Sequence, residues 1–352
     1  MNMSSPNNFC VFILTHGRPD KVITFNTLKK GGYTGPIFLV VDNEDDCWNE
    51  YVQKFGAENV IFFDKRETAK TFDEFDNFDD RRAIVYARNE CFQIARKLGY
   101  KWFLELDDDY IDFRFRYYGP LRNMPKTKSS SYLPINKVLN GAFDLTARLT
   151  AQTGAAAIAF CQGGDWMDGT GEGFNQRKCM NTFFCSTDKP FRFVGRINED
   201  VNTYTWVQSR GMLFLTIAFI QMTQKQTQKT SGGMSDIYLN QGTFVKSFYT
   251  IMCSPSCVKI KIMGSTNRRM HHKINWNTAV PMLISERHCK VIKPKPLTSP
   301  QPKVKQMTVA EINALVEMPE PRIKPATEKT RRQDAPEPVM PAKEFDQDYW
   351  KQ

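Results

Sequence analysis

The 352-residue chain is 41% hydrophobic and 24% charged, a globular balance with enough length for one large domain or two modest ones. A formal charge of +10 fits a polyanionic partner (nucleic acid, an anionic membrane surface or a phosphorylated substrate) and equally a basic protein with none. Nine unpatterned cysteines without a CxxC pair, a polar start over Met1 to Asn8 and no apolar run longer than Leu213 to Met222 argue against zinc arrays, a signal peptide and a membrane span, so a soluble, cytoplasmic protein with reduced thiols is expected.

Phe9 to Leu14 is an apolar run that predicts a buried strand, ending at the turn Thr15-His16-Gly17-Arg18-Pro19. A helix follows over Asp20 to Lys30, stopped by Gly31-Gly32. Pro36 to Val41 and Val60 to Phe63 predict the second and third strands, ending in Asp42 and Asp64. Ile84, Ala87, Cys91, Ala95 and Leu98 recur at helical spacing, so Asp80 to Leu98 reads as an amphipathic helix. Trp102 to Leu106 is a fourth strand, running into Asp107-Asp108-Asp109.

Strands alternating with helices imply an α/β fold, a mostly parallel central sheet flanked by helices. Ligands of such sheets sit beyond the strand carboxyl ends. Thr15, Asp42, Asp64 and Asp107 collect there. Further on, Ile135 to Gln152 reads as a helix, Ala155 to Cys161 as a strand and Gly163 to Gly173 as a Gly-rich loop. Glu199 to Arg210 is a second-half helix, followed by a strand over Leu213 to Ile220, helical spacing over Asp236 to Met252 and a strand at Val258 to Met263. Ten of the 19 prolines fall in 293–352, which therefore reads as a largely disordered tail unable to bury a core, with a short helix at Thr308 to Glu317. The organisation expected is a flexible 1–8, one domain over 9–292 and this tail, whose terminal Phe345 to Trp350 reads as a docking peptide or a frayed end.

Carboxylates crowded at a strand end repel one another unless a cation lies between them. In an extended segment Asp107 and Asp109 share one side and Asp108 the other. Oxygen ligands suit Mg²⁺ or Mn²⁺, which holds a diphosphate and neutralises a departing one; the plainer reading is an acidic surface turn. Thr15 and Arg18 sit where a hydroxyl, a guanidinium and a helix N-terminus meet an anion, and Arg88 precedes the aspartate strand. Asp42 and Glu44 are placed to accept ribose or base hydrogen bonds. Singly, each is equally a solvated loop residue. Glu199 and Asp200 open a helix, either as a general base for an acceptor hydroxyl or as charge suited to the helix dipole. His271 and His272 are candidates for metal or phosphate contact, against a structural role. No P-loop, Rossmann glycine fingerprint after the first strand or serine nucleophile elbow occurs.

Thr15, Asp42, Arg88 and Asp107-Asp-Asp109, each at its strand or helix, together resemble a GT-A (Rossmann-like) glycosyltransferase, a nucleotide-diphospho-sugar transferase fold. Ile13 to Pro19, Val40 to Glu44, Leu106 to Tyr110, Asn198 to Val201 and Gly232 to Met234 are similar to the TET-associated glycosyltransferases of bacteriophages, over about residues 9–292. The resemblance implies a donor half over about 9–118, an acceptor half over about 119–292, and transfer from a UDP-sugar such as UDP-glucose to 5-hydroxymethylcytosine in double-stranded DNA. It assigns Thr15, Arg18, Asp42 and Glu44 to the nucleotide, Asp107 and Asp109 to metal and diphosphate, and Asp200 to the acceptor. Arg88 and Asp108 join the donor set, with Glu199 as reserve base. Arg177, Lys178, Arg268, Arg269, Lys225 to Lys229 and Lys259 to Lys261 are the candidate DNA surface. Two other functions fit the sequence: transfer to a protein, lipid or polysaccharide, and an inactive fold that only binds DNA.

Overall fold

The computed structural model describes residues 8–117, 131–162, 174–175, 178–224, 244–263, 269–279 and 304–321. Arg177, Arg268, the Gly163 to Gly173 loop, Lys225 to Lys229, Gly232 to Met234 and the terminal Phe345 to Trp350 lie outside them. One compact unit ends at Pro321.

The four strands expected in the first half form: β1 (Phe9–Leu14), β2 (Ile37–Asp42), β3 (Val60–Phe63) and β4 (Trp102–Asp107). They pair in parallel in the order β3-β2-β1-β4. β1 has no exposed face, which is why its sequence is continuously apolar rather than alternating. Its odd-numbered Phe9, Val11 and Ile13 enter one core with α1 (Ile23–Lys30), α2 (Trp48–Phe55) and α5 (Leu139–Thr153). Its even-numbered Cys10, Phe12 and Leu14 enter the other with α4 (Val85–Leu98) and α6 (Glu199–Gln208). Between β3 and α4 lies the short α3 (Lys65–Ala69).

Beyond β4 the sheet continues through β9 (Phe183–Ser186), β7 (Ala157–Cys161), β10 (Phe214–Gln224), β5 (Tyr110–Tyr117) and β6 (Ser131–Pro134). The two-residue β8 (Phe174–Asn175) pairs with β10. β1 to β4, β6, β7 and β10 run one way, and β5, β8 and β9 the other. The expected mostly parallel α/β sheet is therefore present. A separate ribbon, β11 (Val258–Met263) with β12 (Arg269–Ile274), packs on α7 (Val245–Cys253), and α8 (Trp276–Ala279) follows.

Several elements depart from expectation: α1 and α5 start at Ile23 and Leu139 rather than at Asp20 and Ile135, and β5, β6, β9 and β12 were not expected. α4 begins at Val85, not Asp80, because the charges ahead of it serve other partners: Arg82 pairs with Asp80, and Arg81 with Glu44 at 2.8 Å and with Asp79. The proline-rich segment is not uniformly without structure, since residues 304–321 lie on the sheet edge and α9 (Val309–Asn313) buries Ile312 to 2% exposure. Among the described residues no helix is long and apolar enough to cross a membrane, and every cysteine is free.

Candidate active site

The carboxyl ends of β1, β2 and β4 meet as expected, and α1 locks the aspartate triplet from below. The Ile23 and Thr24 amides both donate to the Asp108 carbonyl, at 2.8 and 3.1 Å. The Thr24 hydroxyl donates to the Asp107 carbonyl at 2.6 Å and accepts from the Tyr110 amide at 2.9 Å. The N-terminus of α1 thus serves the triplet's own backbone. This corrects the expectation that it meets an anion, because those amides are already satisfied.

Each aspartate has a different partner. Asp107 pairs with Arg88 at 3.0 Å. Asp108 is fully buried and accepts from the Thr15 hydroxyl and the Arg18 Nε, both at 2.7 Å. Asp109 has only the Gln224 amide, at 3.3 Å, and its Oδ1 is buried without a partner. Burial, followed by the charges of Asp107 and Asp108, pushes its pKa up to about 7.

Arg88 and Asp108 are each enclosed by partners from within the protein. Arg88 is 2% exposed, stacked over the Phe183 ring and surrounded by Asp107, Glu199 at 3.2 Å and Glu105 at 3.5 Å. Burial opposes its charge, yet these carboxylates keep it protonated. Asp108 orients Arg18, whose side chain stays 35% exposed and so remains available to a donor.

At the end of β2, Asp42 is held by His16 Nδ1 at 2.8 Å and Lys65 Nζ at 2.9 Å. Burial favours its neutral form, but the His16 hydrogen bond and Lys65 charge prevail and hold the carboxyl below its usual range. Glu44 pairs with Arg81. Gly17 adopts φ +66°, where a side chain would be strained, and its amide donates to Asp45 at 2.7 Å. Tyr51, buried beneath the turn, is bonded to the Thr15 hydroxyl and the Arg18 amide.

Glu199 and Asp200 open α6, and Arg88 ties this helix to β4 by holding Glu199 and Asp107 on one guanidinium. Burial raises the pKa of both α6 carboxylates, with the charge of Asp200 adding to the rise at Glu199. Asp200 Oδ1 accepts from the Val201 amide at 2.7 Å. A cavity of about 530 Å³ adjoins the helix start, lined by Asn198 and Val201, by Lys178 and Lys246, and by His271 and His272 of β12. The two imidazoles lie 4.2 Å apart, and burial, then His271 and Lys246, lowers His272 to a pKa of about 4, so it is neutral. Among the described residues, the trio of possible metal ligands with mutually close atoms is Asp45, Asp46 and Cys47. The histidines are not gathered with Asp107 and Asp109 in such a group; they belong to the cavity wall.

Sequence reasoning missed His16, Asp45, Tyr51, Lys65, Glu105 and Gln224. Glu105 had a visible signal, as the one charge within the apolar run of β4. Gln224 had none, because its approach to Asp109 depends on the pairing of β10 with β5.

The sequence matches the TET-Associated Glycosyltransferase family over residues 9–233. No curated protein matches it significantly. Among solved structures, it is similar to S. aureus TarS 1–349 in complex with UDP-GlcNAc, at 14% identity and a TM-score of 0.37, covering 69% of this chain and 66% of that one, just under two thirds. It is also similar to glucosyl-3-phosphoglycerate synthase from Mycobacterium tuberculosis in complex with Mn²⁺, UDP and phosphoglyceric acid, at 8% identity and a TM-score of 0.39, covering 76% and 86%. With the family match spanning well over half of its length, this chain belongs to the TET-associated glycosyltransferase family.

Proposed function

We propose that the chain moves a sugar from a UDP-sugar to the hydroxymethyl group of 5-hydroxymethylcytosine in double-stranded DNA, with a divalent cation at Asp107 and Asp109. One observation carries this reading: Arg88 pairs with both Asp107 and Glu199, so the aspartate-bearing strand end and the start of the helix with the candidate base lie next to each other. The donor set suits a cation. Asp109 keeps a buried oxygen without a partner, beside two further carboxylates, and oxygen-only donors fit Mg²⁺ or Mn²⁺. When bound, the cation supplies neutralisation of the charge that builds on the departing nucleoside diphosphate.

The remaining roles follow from the chain's own groups. Arg18, fixed by Asp108, meets the diphosphate, while Thr15 holds Asp108 in place. Asp42 and Glu44 receive the ribose and base. A primary alcohol is a weak nucleophile at neutral pH, so its proton must leave as the new bond forms. Asp200 takes it. Its raised pKa makes the carboxylate a stronger base, and the Lys246 charge favours the ionised form. Glu199 is committed to Arg88, which leaves Asp200 the freer of the two.

The test is mass spectrometry of nucleosides after incubating hydroxymethylated DNA with a panel of UDP-sugars. Wild type is expected to add one hexose mass to 5-hydroxymethylcytosine and nothing to cytosine or 5-methylcytosine. Asp200→Asn should bind donor and DNA while transferring at least about 100-fold more slowly. Transfer to unmodified DNA, or to a protein, lipid or polysaccharide but not to DNA, refutes the acceptor; a fully active Asp200→Asn refutes the base.

A further inference from the structure

Between Asp236 and Glu286 the sequence has no acidic residue but six lysines and arginines. The ribbon of β11 and β12 gathers several of them. Its register sets Lys259 opposite Lys273 and Lys261 opposite His271, whereas Ile260 faces His272 and Ile262 faces Met270. Side chains alternate between the faces of a strand, so one face carries the lysines and the other face is largely apolar.

Like charges directly opposite each other across two strands destabilise the pairing. Elsewhere in the molecule the buried cations Lys65, Arg88 and Arg196 each have carboxylate partners. Lys259, Lys261 and Lys273 are exposed and have no ion pair among the described residues. A row of phosphates laid along this face would relieve the repulsion.

The location adds a second argument. Met270 to Ile274 of β12 line the same cavity as Asn198 and Val201, which flank Glu199 and Asp200. A two-stranded ribbon is narrow enough for the major groove, which is about 12 Å wide and displays the C5 substituent of a pyrimidine. We infer that the β11–β12 ribbon grips the acceptor duplex, its lysine face on the backbone phosphates, and so presents the target base at the cavity beside Asp200. This rests on the proposed DNA acceptor.

The experiment compares wild type with Lys259→Glu/Lys261→Glu and with a control of equal charge change on α1, Lys29→Glu/Lys30→Glu. Binding to a hydroxymethylated duplex is followed by anisotropy across a salt series, alongside UDP binding and circular dichroism. The ribbon variant is expected to lose at least about tenfold in DNA affinity, with the slope of log K against log salt reduced by about two. Its UDP binding and fold should be unchanged, and the control should stay near wild type. If wild type modifies DNA but the ribbon variant keeps its affinity and slope, or weakens only as much as the control, the ribbon assignment is overturned alone. Wild type that neither binds nor modifies DNA defeats the acceptor reading and the ribbon with it. Retention of wild type on phosphatidylglycerol vesicles but not on DNA overturns the ribbon in favour of a lipid surface.

Discussion

Asp109 has the least compensated charge of its triplet: Asp107 has Arg88, Asp108 has Arg18 and Thr15, and Asp109 has one neutral amide. Its pKa of about 7 in the fold lies above the ordinary carboxylate value of 3.8. The folded protein therefore holds this proton where the unfolded chain has released it, and stability falls as pH rises from about 4 to about 7. Thermal unfolding in EDTA should show Asp109→Asn melting above wild type at pH 8, with the gap closing near pH 4. Adding Mn²⁺ should raise the wild-type melting temperature at pH 8 and leave the variant unmoved. A pH-independent gap would mean that Asp109 is not charged and uncompensated in the fold. The triplet was legible because three acidic residues ended an apolar run. Which of them is enclosed was not, because burial of Asp108 depends on Thr15 and Arg18 arriving from another strand. The partners of Arg88 were not legible for the same reason, since Glu105 and Glu199 reach it from distant points of the chain.

At the scale of elements, the long first-half strands and α4 were readable from apolar runs and helical spacing, while β9 was not. It follows no strand–helix alternation, and its neighbours β4 and β7 lie far from it in sequence. In the segment after residue 293 the expected short helix is present as α9, where Thr308 and Glu311 form a capping box. Asn313 does what a further strand would do: its side chain accepts from the Phe62 amide and donates to the Val60 carbonyl, both at 2.8 Å, so it covers the open edge of β3. Trp48 donates to the Pro319 carbonyl at 2.9 Å and ties the end of the segment down. Asn313→Ala leaves both backbone groups without that partner and should cost about 1–3 kcal/mol, read as a lower urea midpoint at unchanged slope. An unchanged midpoint would show that water replaces the amide at no cost and that the segment is not part of the stabilised fold.

Across the whole molecule, the proposed division into a donor half and an acceptor half does not follow the folding. β4 finishes the donor set, yet its second neighbour is β9, and β5 leaves at once for the far side of the sheet to pair with β10 and β6. The ring of Phe9, in the first strand, stacks on Phe184 at 5.2 Å and packs on Phe143 at 5.6 Å. Arg88 likewise needs Glu199. Residues 8–117 alone would expose one edge of β4, strip β5 of both its partners and leave half of the α1-side core facing water. This fragment is expected to be collapsed but not native, with far-ultraviolet dichroism retained, near-ultraviolet dichroism lost, dye binding to exposed apolar surface and no UDP affinity. Residues 8–321 should regain near-ultraviolet dichroism and UDP affinity and lose the dye binding, since they carry every strand of the described sheet. A fragment 8–117 with native near-ultraviolet bands and UDP affinity would refute the argument, because the donor site would then stand without the strands that close its sheet.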